Sequence, residues 1–254
     1  MHLDWQHTCQ FLSKLYPDPW PSHFHMEVVE MKHKNDWKPR FGPAQFVSLE
    51  EVAELDDIAL RTYAQLGCHF FFTVAMTNGG KRQKSNMQVI SALWADTDDI
   101  DETQMKNLIL GCPHPPTGIV RSGGGYHFYW KLKEYFYVEE GKDGWGYVEQ
   151  ALRKVHGWVS GDHTTDISRL LRLPGTFTYK PWKYAEPMPC MLVSWVDNRT
   201  YTIEELTNTR ISLNEIRLQK DFVEKYILLG EGMGSPPNRS DRDFAVIKEL
   251  IGVG

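Results

Sequence analysis

Val89-Ile90-Ser91-Ala92-Leu93-Trp94-Ala95-Asp96-Thr97-Asp98 is the stretch on which the reading of this chain turns. Seven uncharged, mostly apolar residues end abruptly in two carboxylates spaced by one residue. The run is too short for a buried helix and has the composition of a buried strand. Side chains alternate along a strand, so Asp96 and Asp98 share a face at its carboxyl end.

Working outward, Glu102 to Leu110 reads as a helix and Thr117 to Arg121 as a strand. Gly123-Gly124-Gly125 reads as a turn, and Tyr126 to Leu132 as a further strand. Gly144 to Val159 is amphipathic, and Ile167 to Leu173 reads as a last strand. The order β-α-β-β-α-β is the split unit of RRM-like folds, with strand order 4-1-3-2. The expected fold class is therefore α+β, an RRM-like catalytic palm.

Upstream, Trp5 to Leu15 has helical periodicity and is followed by the proline-rich break Tyr16 to Pro21. Phe24 to Glu30 and His69 to Met76 read as strands, and Ser48-Leu49-Glu50-Glu51 opens a helix running to about Leu66. Thr77 to Ser85 is a glycine-rich basic loop carrying Lys81, Arg82 and Lys84, the expected nucleic-acid contacts. The expected division is a catalytic domain over 1–200, with an N-terminal α/β module to about 86 and the palm over about 87–200. A helical extension follows over 201–254, with helices from Thr202, over Leu213 to Leu228, and from Arg239. The chain stops in or just after that last helix, which suggests a piece of a longer polypeptide.

Composition narrows the function. The chain has 254 residues, 41% hydrophobic and 13% aromatic, enough for a packed core. No apolar run approaches the ~20 residues that cross a bilayer, so no membrane partner is expected. The start has no signal-peptide pattern, and four scattered cysteines suggest reduced thiols in a cytoplasm. A net charge of −5 argues mildly against a dedicated nucleic-acid binder, although the basic residues are clustered. Cys112-Pro113-His114 is half of a zinc pattern with no second half.

In the 4-1-3-2 order, the end of the first strand lies beside the starts of the third and fourth. Asp96, Asp98, His127 and Asp166 therefore converge, with Arg172 on the Asp166 face. Carboxylates so placed repel unless cations neutralise them. Hard divalent ions, two Mg²⁺ or Mn²⁺, suit oxygen ligands and bind phosphates with their remaining positions. Asp96, Asp98 and Asp166 are thus the expected catalytic metal ligands. The glycine run allows backbone to approach phosphate closely, and His127 can donate to a triphosphate oxygen.

These residues resemble the archaeo-eukaryotic primase superfamily, especially the primase-polymerases of phages and plasmids. Its three motifs match Leu93-Trp94-Ala95-Asp96-Thr97-Asp98, Gly125-Tyr126-His127 and Thr165-Asp166. Arg172 and Lys180, in the run LLRLPGTFTYK, match its later basic positions. The resemblance spans residues 10–200 and implies a template-directed nucleotidyltransferase. Its substrates would be dNTP or NTP on a single-stranded DNA template. Metals would be held by Asp96, Asp98 and Asp166, and the nucleotide by His127, Arg172 and Lys180, with Ser122 and Gly125 from the glycine run. Relatives often carry a helicase, which here would lie beyond Gly254.

Two other readings stay open on sequence alone. His23-Phe24-His25 fits the His-x-His metal pair of a rolling-circle nuclease, although no convincing nucleophilic Tyr follows. An RRM-like nucleic-acid-binding module would stack bases on Tyr126, Phe128 and Trp130 and need no metal.

Overall fold

The computed structural model describes residues 3–208 other than 35, 56, 139–143 and 162–164. The helices expected over 213–228 and from Arg239 lie outside the described residues. The chain is mixed α+β, built on two antiparallel sheets.

Helix α1 spans Trp5–Leu15, with the Asp4 side chain accepting from the His7 N–H as its N-cap. Strands β1 (Phe24–Glu30) and β2 (Lys38–Phe46) pair antiparallel. Two short helices follow, α2 (Leu49–Ala53) and α3 (Asp57–Gln65), where the sequence suggested a single helix. Then come β3 (His69–Thr73), β4 (Ala75–Thr77), β5 (Met87–Asp98), α4 (Glu102–Leu110), β6 (Gly118–Arg121), β7 (Gly125–Tyr137) and α5 (Gly144–Trp158). Strands β8 (Leu170–Arg172), β9 (Thr176–Thr178) and β10 (Met188–Trp195) lead to α6 (Ile203–Asn208).

The larger sheet has the order β4-β5-β7-β6-β10-β9, and the smaller one β2-β1-β3-β8. The core of the expected unit is present: β5, β7 and β6 lie in the predicted 1-3-2 order, with α4 and α5 as crossovers. The fourth strand differs. β8 does not flank β5; it pairs with β3 in the smaller sheet, and β4 takes the edge beside β5. The expected strand His69 to Met76 is therefore divided between the sheets. The division falls at Val74, where the Tyr16 hydroxyl meets the Thr73 and Val74 carbonyls at 3.0 and 3.1 Å. Those acceptors are satisfied without a continuing ladder.

Three strands were not expected. β2 contains Pro39 and Pro43 and is largely exposed, so its basic, proline-broken sequence reads as loop. An edge strand tolerates proline because one side of it needs no partner. β9 has three residues and β10 begins Met188-Pro189, too little alternation to stand out.

The core is continuous between the sheets. Phe11 of α1 packs edge-on against Phe72 of β3 and Tyr129 of β7, with centroids 5.7 and 5.5 Å apart. On the far face of the larger sheet, Trp130 meets Trp158 of α5 at 5.8 Å. Strand β5 is buried along almost its whole length because both faces are covered. Among the described residues no helix is long and apolar enough to cross a membrane.

Candidate active site

A cavity of 1110 Å³ opens between the two sheets. Its volume is slightly above the ~300–1000 Å³ usual for small-ligand sites. Asp96, Asp98, Asp166, His127, Arg172 and Lys180 all line it, although β8 belongs to the other sheet. The convergence expected within one sheet is thus achieved between two.

The carboxylates come from two places. Asp96 pairs in register with His127, and Asp98 with Gly125, across β5 and β7. Directly opposed residues share a face, which here is the one turned to the smaller sheet. His127 Nε2 lies 3.5 Å from Asp96 Oδ1, and the Tyr129 hydroxyl lies 3.5 Å from His127 Nδ1. Burial, then Arg172 and Arg169, push the His127 imidazole down to about 3. It is neutral at physiological pH and can present one N–H to an anion.

Asp166 is exposed and stands in a turn before β8. Its Oδ1 accepts from the Ser168 N–H and hydroxyl, each at 2.9 Å, so the side chain is held in place locally. Residues 166 to 169 turn and do not extend as a strand, which has a consequence missed by alternation. Arg169 reaches the cavity, its Nη2 3.9 Å from Asp96 Oδ2. Reading 167–173 as one strand placed Arg169 on the opposite face from Asp166.

Arg172 stacks over the Phe71 ring, its guanidinium carbon 5.5 Å from the centroid. Its Nε is buried with no hydrogen-bond partner among the described residues. A donor left in that state is costly unless a ligand satisfies it. Burial, then Arg172, lower the Lys180 pKa, a condition that an arriving anion relieves.

The glycine run does different work from that expected. A Cβ on Gly123 would lie 2.9 Å from Thr178, one on Gly124 would strike the Tyr184 hydroxyl, and one on Gly125 the Thr97 carbonyl of β5. The three glycines seat the 178–184 segment and the β5 backbone, and so bring Lys180 and Lys183 to the cavity. Ser122 is buried outside the cavity wall, its carbonyl accepting from the Thr178 hydroxyl at 2.8 Å. Ser122 and Gly125 therefore support the site and do not line it. The RLPGT run is architectural too: Thr8 of α1 donates to the Pro174 carbonyl at 2.6 Å, and Asp4 N–H to the Gly175 carbonyl at 2.9 Å.

The basic loop separates into parts. Arg82 lines the cavity, bound through Nε to Glu27 at 2.8 Å and through Nη1 to the Ser168 carbonyl at 3.3 Å. Burial opposes the Glu27 charge, but hydrogen bonds from His25 and Arg82 outweigh it and hold its pKa below the ordinary value. Lys84 pairs with Glu149 at 2.8 Å, and Lys81 is exposed. Neither lysine lines the cavity.

Among the described residues no three His, Cys, Asp or Glu side chains are gathered into a preformed metal cluster. The donor chemistry nonetheless fits hard divalent cations: Asp96, Asp98 and Asp166 offer carboxylate oxygen to one cavity, with no cysteine among its lining residues. Five carboxylates there face six cationic side chains. The mixed charge suits a polyanion accompanied by cations better than a bare one.

The competing patterns do not converge on a site. His25 is buried against Glu27 at 2.9 Å, and neither it nor His23 lines the cavity. Tyr126, Phe128 and Trp130 are buried at 6, 0 and 0% exposure, which closes them to stacking bases. Burial pushes the Cys112 thiol up to about 12, far from a zinc-binding thiolate.

No protein-family model matches the sequence, and no curated protein does. Solved structures match in fold. The AEP domain of the cyanophage S-2L primase-polymerase superposes with TM-score 0.60 at 16% identity, over 82% of this chain and 98% of that one. Primase RepB′ gives 0.50 at 14%, over 95% of this chain and 69% of that one. The catalytic domain of RepB′ in complex with initiator DNA gives 0.50 at 14%, over 89% and 100%. The chain therefore has the fold of archaeo-eukaryotic primase catalytic domains.

Proposed function

We propose that this protein is a DNA primase-polymerase: a template-directed nucleotidyltransferase that joins nucleoside triphosphates on single-stranded DNA. One observation carries the reading. Asp96, Asp98 and Asp166 share a single cavity with His127, Arg172 and Lys180, although the two sets span two separate sheets. That is the pairing phosphoryl transfer requires, with oxygen ligands for divalent ions beside donors for the phosphates those ions accompany.

Asp96, Asp98 and Asp166 are the residues that would hold Mg²⁺ or Mn²⁺, which when bound supply charge neutralisation and a more acidic attacking hydroxyl. The chain's own groups do the rest. Neutral His127 donates from Nε2, and Arg172 offers a planar fork suited to phosphate oxygens. Lys180 adds a point charge, and Arg169 balances Asp96. The fold shared with primase-polymerases supports this reading, and the RepB′ catalytic domain bound to initiator DNA supports DNA as the partner. Likeness in fold to a cyanophage primase-polymerase supports a role in phage or plasmid replication as part of this proposal.

The test is incorporation of labelled nucleotides on a single-stranded template, with Mg²⁺ or Mn²⁺, with and without a primer. Products that depend on template and metal bear out the reading. No product under any of these conditions, from protein shown to be folded, rejects it.

A further inference from the structure

Trp37 lines the cavity and remains 41% exposed. One face of its indole is stacked on Phe71, centroids 5.0 Å apart and planes 29° apart. Phe71 is in turn stacked with His69, at 5.9 Å and 12°, and carries the Arg172 guanidinium at 5.5 Å. The indole is thus the open end of a stack built on Phe71, the same ring that carries Arg172, a phosphate-binding candidate. Its plane is fixed by that stack, so little conformational freedom is lost when a ligand lies on it. A large aromatic face open in a cavity lined by eleven charged side chains gains free energy when a flat apolar surface covers it.

We propose that Trp37 is a stacking platform for a nucleobase, the base belonging to a nucleotide or strand whose phosphates face Arg172 and Lys180. The span is suitable. Trp37 and Arg172 contact the same Phe71 ring, at 5.0 and 5.5 Å, so the indole and the guanidinium lie no further apart than the base and the phosphate tail of one nucleotide. Stacking is tolerant of base identity because every base has a π-face, which suits an enzyme that must accept all four. The proposal rests on the cavity being a nucleotide site and specifies where in it the base lies.

The experiment measures affinity in the absence of turnover, with Mg²⁺ present, for four probes: dGTP, inorganic tripolyphosphate, a single-stranded dT oligonucleotide, and an abasic oligonucleotide of equal length. Wild type is compared with Trp37→Ala, Trp37→Leu and Trp37→Phe. Trp37 is on the surface, and Trp37→Leu keeps apolar cover over Phe71, so folding is preserved. The alanine and leucine variants should lose about tenfold for dGTP, for dT, or for both, and phenylalanine should restore most of it. Tripolyphosphate and the abasic strand should bind all variants alike. The base-bearing probe that weakens identifies the source of the base. Unchanged affinity for both base-bearing probes overturns the stacking site but leaves the phosphate site standing. Failure of wild type to bind any probe overturns both.

Discussion

Arg82 donates from Nη1 to the Ser168 carbonyl, and Ser168 in turn holds Asp166 through its own N–H and hydroxyl. The other end of the guanidinium is fixed to Glu27. Arg82 is therefore a strut between β1 and the turn that presents the third carboxylate.

Arg82→Ala should lower kcat about tenfold or more while changing nucleotide KM little, and Arg82→Lys should recover only part, having no fork to span both partners. Lys81→Ala with Lys84→Ala should instead weaken DNA binding and flatten its salt dependence. Steady-state kinetics and binding across a salt series separate the two behaviours. Equal salt-slope changes from Arg82→Ala and the lysine pair would return Arg82 to a mobile phosphate contact.

Asp96→Asn with Asp98→Asn should abolish incorporation. The stability effect is more specific. Asp96 neighbours the Arg169 guanidinium, so losing its charge removes attraction as well as carboxylate repulsion. Without metal the melting temperature should stay within a few degrees of wild type, a change of about 1 kcal/mol or less. With Mg²⁺ or Mn²⁺, wild type should gain stability by mass action and the variant should not. Thermal melts in chelator and in metal check both halves.

Arg172→Ala should raise nucleotide KM roughly ten- to hundredfold, the loss of a charge-assisted contact worth ~1.5–3 kcal/mol. Metal affinity measured without nucleotide should be unchanged. A loss of metal binding instead would place the guanidinium in support of the carboxylates.

His69 gives a pH-dependence of known sign. Burial, with Arg172 nearby, takes its pKa from 6.5 to about 4, although the Tyr179 carbonyl 2.8 Å away favours the proton. Below about pH 6.5 the unfolded chain binds a proton that the folded chain refuses until about pH 4. Its stabilising contribution is thus complete above 6.5 and falls as pH drops towards 4, by up to ~1.4 kcal/mol per pH unit. His127 adds a slope of the same sign that reaches to about pH 3. His69→Gln should make the loss between pH 6.5 and 4.5 shallower by about one proton without removing it. Urea midpoints at several pH values read this directly.

Gly124→Ala should impair nucleotide binding by displacing Tyr184 and, with it, the segment bearing Lys180. Adding Tyr184→Phe, which removes the hydroxyl that the new methyl strikes, should restore binding in part. Affinity for dGTP in the single and double variants gives the answer.

Much of this site could be read from the chain because its parts sit on strongly patterned elements. The residues of α1, β1 and α4 matched their expected bounds, since amphipathic spacing and caps such as Asp101 are local signals. Asp96, Asp98 and His127 follow from β5 and β7, whose buried runs are unmistakable. What escaped depends on pairing between distant strands. Nothing local says that Leu170 to Arg172 leaves the larger sheet for β3, or that β2 forms across two prolines. Arg169 and Trp37 were missed for the same reason: a turn and an edge strand set their directions, and neither has a period to read.

The attachment of α1 has a further consequence, for how the chain is made. Thr8 is bound to the carbonyl of Pro174, 166 residues away, and His7 accepts from the N–H of Leu192, 185 residues away. Phe11 meets Trp195 as well as Phe72 and Tyr129. During synthesis this helix leaves the ribosome well before β7 and β10 do. Val52 and Phe72 cover it in part, but its docking is complete only when β10 has emerged, so Phe11 stays partly open meanwhile and assembly closes around an element made before most of its partners. The interval is long, at ~5–20 residues per second, and such exposed apolar surface is what chaperones engage.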